Sequence, residues 1–264
     1  MNTANIYKKL EAVDFSVIDE IATLNPEEAF ILINKGLIHQ NADVRELSLL
    51  ALERRPEDKA VDLLLKLLVD DDMSVQMAAI GAIAKRPSKG IVPGLKQALS
   101  EVDPDMQAEI ILALGMCGDA SQKEFMQGLL KKAEKDEESE LVHNLNMALA
   151  RLGDLAAQNS FVINLNSNQI EERRDALYDL EYINDPRLLA KSKELLNDTE
   201  DATDIGKNPP HVYIRICDLF VMITNRVLGH PFSFAERGRQ FTEEERRIVE
   251  LYLKQHYEKS TFNI

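Results

Sequence analysis

Three stretches of this chain carry one pattern at one spacing. Val44, Val75 and Met106 stand 31 residues apart, as do Ala51, Ala82 and Ala113, and Leu52, Ile83 and Leu114. The pattern returns less regularly: Leu141, Ala148 and Leu149 follow at a step of 35, Arg173, Ala176 and Leu180 at a further 31, and Ile214, Arg215 and Met222 after 42. A fixed period of this length marks a stack of supersecondary units. One unit cannot bury its own apolar face, so its neighbours must cover it.

Each copy reads as the second helix of a pair. Asn41, Asp72, Asp103, Glu138 and Gln169 hold the equivalent starting place. Asn and Asp there can accept a hydrogen bond from an orphan backbone N–H, whereas Glu and Gln are poorer caps. Upstream of each cap lies another run with apolar residues at three and four, as in 60–68 and 125–130. That spacing gives one buried stripe per helix. Pro56, Pro87, Gly90, Gly118, Gly153 and Pro186 punctuate the joints. The repeated alanines let helices approach closely. Helix is therefore expected for most of the residues, with no sheet.

The Asp/Asn-x-x-Val-Arg-x-x-Ala-x-x-Ala-Leu pattern resembles the HEAT repeat, in the bacterial subgroup of phycobilisome-lyase-like repeats. Val44, Arg45, Ser48, Ala51 and Leu52 fit it well, whereas Gln76, Gln107 and Val142 stand where the motif favours Arg. The resemblance spans about 25–225. It implies an all-α, right-handed α-solenoid of about six HEAT-type helix pairs. It also implies that second helices line the inner face, and that the motif arginines Arg45, Arg173 and Arg215 bond a neighbouring repeat.

Residues 1–224 are read as the solenoid and 225–264 as a capping segment of the same domain. In that segment Thr242 and Glu245 have the spacing of a capping box opening a helix to about His256. Ile248, Val249, Leu251 and Tyr252 are assigned to its apolar face. The polar stretch 197–211 interrupts the repeat and is the one long loop.

Charge narrows the partners. The net charge is -14, of which residues 1–204 carry -16 and residues 205–264 carry +2. An acidic surface repels nucleic acid and anionic membranes and draws cationic partners. With 6% aromatic residues and no Trp, the core is built from aliphatic side chains. Cys117 and Cys217 form no CxxC pattern and read as buried thiols in a reducing compartment. No apolar run of membrane-spanning length occurs and the N-terminus shows no signal-peptide pattern, so a cytoplasmic location is expected.

Motifs of catalysis are missing. There is no phosphate-cradling Gly-rich loop, no Gly-x-Ser-x-Gly and no His-Glu-x-x-His. The five histidines are scattered singly, and no His-Glu dipeptide occurs, as the iron-binding HEAT class would require. Asp70–Asp72 and 136–138 lack a calcium-loop pattern and precede helices, where negative charge suits the N-terminal dipole. No catalytic residue, metal site or cofactor is expected. The candidate binding residues are those near the starts of the second helices on the expected concave face: Arg45, Glu46, Gln76, Gln107, Glu109, His143, Asn144, Arg174, Tyr178, Tyr213 and Arg215. They suit a cationic protein or peptide, which makes the chain a non-enzymatic interaction module, of adaptor or immunity type. The alternative carried by the resemblance is a bilin-lyase-type enzyme or lyase subunit.

Overall fold

A computed structural model describes residues 3–55, 59–204, 213–235 and 238–258. It divides into two compact units, Met1–Leu145 and Asn146–Ile264. The repeat pattern becomes helix pairs in both, and the fold is an all-α solenoid type.

In the first unit the pairs are α1 (Thr3–Glu11) with α2 (Val17–Ala22), α3 (Pro26–Leu37) with α4 (Ala42–Glu53), α5 (Lys59–Leu67) with α6 (Met73–Lys85), and α7 (Val92–Ala98) with α8 (Pro104–Cys117). Then come α9 (Lys123–Lys135) and α10 (Ser139–Arg151), within which the division falls. The second helices start where capping chemistry puts them. The Asn41 carboxamide accepts from Asp43 N, the Asp72 carboxylate from Ser74 N and Val75 N, and the Asp103 carboxylate from Met106 N. Helices α4, α6 and α8 lie side by side. Their repeated positions are closed to solvent: Val44, Val75 and Met106 are buried, as are Ala51, Ala82 and Ala113. Close packing of this kind makes any added methylene costly.

Two sets of polar contacts tie successive pairs. Arg55 donates to the carbonyl of Leu24 at 3.1 Å, 31 residues back, and Arg86 donates to the carbonyl of Arg55, again 31 back. These carbonyls sit just past the ends of second helices, where orphan acceptors need a donor. The ladder shows that α1 and α2 form a short pair ahead of the first motif copy. The second set comes from the motif position. Arg45, Gln76 and Gln107 each reach a carbonyl in the joint before their own helix, those of His39, Asp70 and Val102. Gln thus keeps the local half of the arginine's role and forgoes the ion pair.

The second unit holds α11 (Leu155–Leu165) with α12 (Ile170–Ile183), then α13 (Pro186–Lys191), a 3-10 turn Lys193–Asn197, and α14 (Ile216–Val227). Asp154 caps α11, while Gln169 makes no side-chain cap bond to α12. Helices α12 and α14 pack together. Helix α15 (Glu243–Leu253) runs into a π-turn at Lys254–Glu258 and packs on α13 and α14. Thr242 and Glu245 form the expected capping box.

Three expectations need correcting. A short antiparallel pair, β1 (Asp201–Asp204) with β2 (Tyr213–Arg215), stands where no sheet was anticipated. The helix anticipated at Ile214 starts instead at Ile216, because Tyr213, Ile214 and Arg215 pair with β1. Of the stretch 197–211, residues 205–211 lie outside the described residues. On α15, Ile248 and Leu251 are exposed, whereas Val249 and Leu253 are fully buried. Both kinds of position are apolar, so composition left the phase of the stripe open. Packing against α13 and α14 selects the 249/253 side. No described helix is long and apolar enough to cross a membrane.

Candidate interaction face

The exposed sides of α4, α6 and α8 form one face in the first unit. At a 31-residue spacing, equivalent positions take equivalent places on neighbouring helices. The outward rows can therefore be read directly. Nearest the helix starts come Asp43, Ser74 and Asp105, all exposed. Next come Glu46 and Met77, whose equivalent on α8, Ala108, is buried, while Glu109 one position further on is half-buried. Leu50, Gly81 and Leu112 follow, each partly open to solvent.

The acidic rows are not internally neutralised. No described residue forms a salt bridge with Asp43, Glu46, Asp105, Glu109 or Glu140, while Glu53 lower on α4 is paired with Lys85 at 2.7 Å. Burial, and then the nearby Glu140, pushes the Glu109 carboxyl above its ordinary value. A carboxylate that is partly desolvated and faces another gains from any incoming cation.

The expected candidates separate into three kinds. Arg45 and Asn144 are buried, at 8% and 6% exposure. Arg45 spends its guanidinium on Asp70, on Asp71 and on the carbonyls of His39 and Gln40. Gln76 and Gln107 are half-buried and bonded to joint carbonyls. Glu46 and Glu109 are likewise half-buried but carry no such bond to a joint carbonyl, and His143 at the start of α10 is exposed.

In the second unit Tyr178 on α12 and Tyr213 on β2 are 46% and 41% exposed. Arg174 is half-exposed and pairs with its neighbour Asp175 at 2.9 Å. Arg215 is committed elsewhere. It binds Asp218 through Nε at 2.7 Å and donates to the carbonyl of Phe241 at 3.0 Å. Arg173 repeats the Arg45 arrangement, with Asp198 at 2.8 Å, Glu200 and the Ser167 carbonyl. Arg45 and Arg173 thus tie one joint to the next, as expected, whereas Arg215 ties its own helix to the C-terminal segment.

Sequence reasoning missed the middle row of the face. Leu50, Gly81 and Leu112 carry no polar group to mark them as binding residues, although their 31-residue spacing is plain in the sequence. The exposed methionines Met73 and Met77, at 54% and 41%, were missed likewise. The face is therefore more apolar than Gln, Glu and Asn alone suggested.

HEAT-repeat models match residues 31–99 and 70–146. Residues 31–146 are thus HEAT repeats. Among solved structures, a chain of the complex of CpcE and CpcF of phycocyanin lyase from Nostoc sp. PCC7120 is similar over 96% of this chain and 95% of that one, with a TM-score of 0.55 and 17% identity. That likeness is one of fold. An engineered protein aligns over 97% of this chain and 98% of its own at 16% identity, with a TM-score of 0.33. No curated protein matches.

Proposed function

We propose that this chain is a non-enzymatic protein-interaction module, of adaptor or immunity type, that binds a cationic protein or peptide on the exposed face of α4, α6 and α8. The observation that carries the reading is the set of carboxylates there that form no salt bridge among the described residues, with Glu109 held partly desolvated against Glu140. Such a face draws opposite charge, and its contribution appears mainly in the rate of association. The excess of -16 in residues 1–204 acts in the same direction at longer range. Exposed Tyr178 and Tyr213 and the half-exposed Arg174 offer further contact surface in the second unit.

The test is surface plasmon resonance at two salt concentrations with a partner recovered by pull-down from native lysate. Glu46→Lys with Glu109→Lys should slow association. Raising salt should do the same, since the Debye length is already about 8 Å at physiological ionic strength. Glu243→Lys with Glu244→Lys, in the first turn of α15, should change little. Equal affinity at both salts, or a larger effect from the α15 pair, places the binding surface elsewhere.

A second reading, bilin-lyase-type activity, is favoured by one observation: the near end-to-end similarity to a chain of a phycocyanin lyase complex. Its test is co-expression with a phycocyanin apoprotein and a bilin. Covalently attached visible absorbance would support it, and none would exclude it for that pair.

A further inference from the structure

We infer that the face of α4, α6 and α8 takes a basic amphipathic helix, laid across the three helices with its apolar stripe on Leu50, Gly81 and Leu112. The inference rests on the interaction reading above and specifies the occupant.

The central observation is Gly81. It lies inside α6, where glycine is the least favourable ordinary residue. A Cβ built on it would meet nothing within 4 Å, so no internal packing requires the glycine. Gly36 and Gly94 differ, since a Cβ at either would collide with Ser48 or Leu65. Gly81 therefore leaves open space on the outward side of α6, at the position equivalent to the half-exposed Leu50 on α4 and Leu112 on α8. Met77 lies one turn above it, and a flexible thioether adapts to an incoming apolar surface.

Charge sets the rest of the occupant. Asp43, Glu46, Asp105 and Glu109 lie toward the helix starts from this apolar row, and among the described residues none of them forms a salt bridge. A partner with apolar residues on one side and Lys or Arg along an adjacent side satisfies both features. A second copy of this chain does not, since each copy carries -14. An extended peptide is also a poor fit. The face consists of helices whose backbone groups are already bonded, so it offers no ladder for a strand. A helix satisfies its own backbone and needs only side-chain contacts. Packed helices lie about 8–10 Å apart, so the three span roughly 20 Å, which a helix of about 14 residues covers.

The experiment uses the full chain and a labelled synthetic peptide of about 18 residues, built from Leu and Lys in amphipathic helical order. Fluorescence anisotropy gives the affinity, and circular dichroism of the mixture reports peptide helix. Gly81→Gln fills this space without an internal clash. Gly128→Gln on α9, where a Cβ is equally unopposed, is the control. Gly81→Gln should weaken binding about tenfold relative to Gly128→Gln, and a scrambled peptide of the same composition should lose a similar factor. Bound peptide should gain helix. Affinities within about twofold for Gly81→Gln and Gly128→Gln, or for the ordered and scrambled peptides, would overturn the inference of a bound helix. Glu46→Lys with Glu109→Lys separates the two levels. If that variant weakens binding while Gly81→Gln does not, the interaction face stands and the occupant is wrong. If neither variant matters, the face itself is wrong.

Discussion

Arg45 donates to the carboxylate of Asp70 through Nε at 3.0 Å and Nη2 at 2.7 Å, across 25 residues of chain. Both side chains are only 9% exposed. Burial alone would raise the Asp70 carboxyl, but the guanidinium and the N–H of Asp72 outweigh it, and the carboxyl stays below its ordinary value. Removing Arg45 takes the guanidinium from the Asp70 carboxylate, whereas removing Asp70 leaves Arg45 its contacts with Asp71 and the carbonyls of His39 and Gln40. Arg45→Met should therefore cost about 3–5 kcal/mol and Asp70→Asn less, and the two combined should cost less than the single changes summed. Urea denaturation of the three variants measures the coupling. A depressed carboxyl stabilises the fold above its unfolded-state value and loses that contribution as pH falls through its folded value. The penalty of Asp70→Asn should thus be full at neutral pH and shrink in acid.

Asp218 performs a similar task for the C-terminal segment. It is fully buried and accepts from Phe241 N at 2.7 Å and from Arg215 at 2.7 and 2.9 Å. Asp218→Asn should cost about 3–5 kcal/mol, because it removes the fully buried carboxylate that pairs with Arg215 and leaves that guanidinium on the Phe241 carbonyl. Asp175→Asn, which breaks the exposed pair with Arg174, should cost at most about 1 kcal/mol. Limited proteolysis should release the segment containing α15 faster in the first variant than in the second.

Ala82 and Ala113 sit at 2% and 1% exposure on adjoining second helices. Replacing either by Leu should cost roughly 1–3 kcal/mol through overpacking. Unchanged unfolding midpoints for both would show the repeat register to be wrong.

Glu109 should burden the fold in the free protein. Its carboxyl is raised, first by burial and then by Glu140, so the ionised form is disfavoured in the folded state. An acid raised in this way subtracts stability above its folded value, and the loss disappears as pH falls to the unfolded value. Glu109→Gln should raise the thermal midpoint at neutral pH. The gain should vanish as pH falls toward the ordinary value of 4.5. A constant gain at every pH would mean that Glu109 is not desolvated. Burdens of this kind are common at binding surfaces, where an incoming cation relieves them.

The 31-residue spacing alone was enough to place the second helices, their caps at Asn41, Asp72 and Asp103, and the buried positions of three repeats. Capping and helical periodicity act within a few residues, so they are written in local sequence. What lay beyond that range had to come from the tertiary structure. Arg45 finds Asp70 and Arg173 finds Asp198 because stacking brings each joint onto the next. Asn144 is buried although it is polar, and Ile248 exposed although it is apolar, because the neighbouring helices decide which side of a helix is covered. The pairing of β1 with β2 fixes the true start of α14. The row Leu50, Gly81 and Leu112 is visible as a spacing. Its openness at Gly81 depends on what lies within 4 Å of a missing side chain, and only the packed structure determines that.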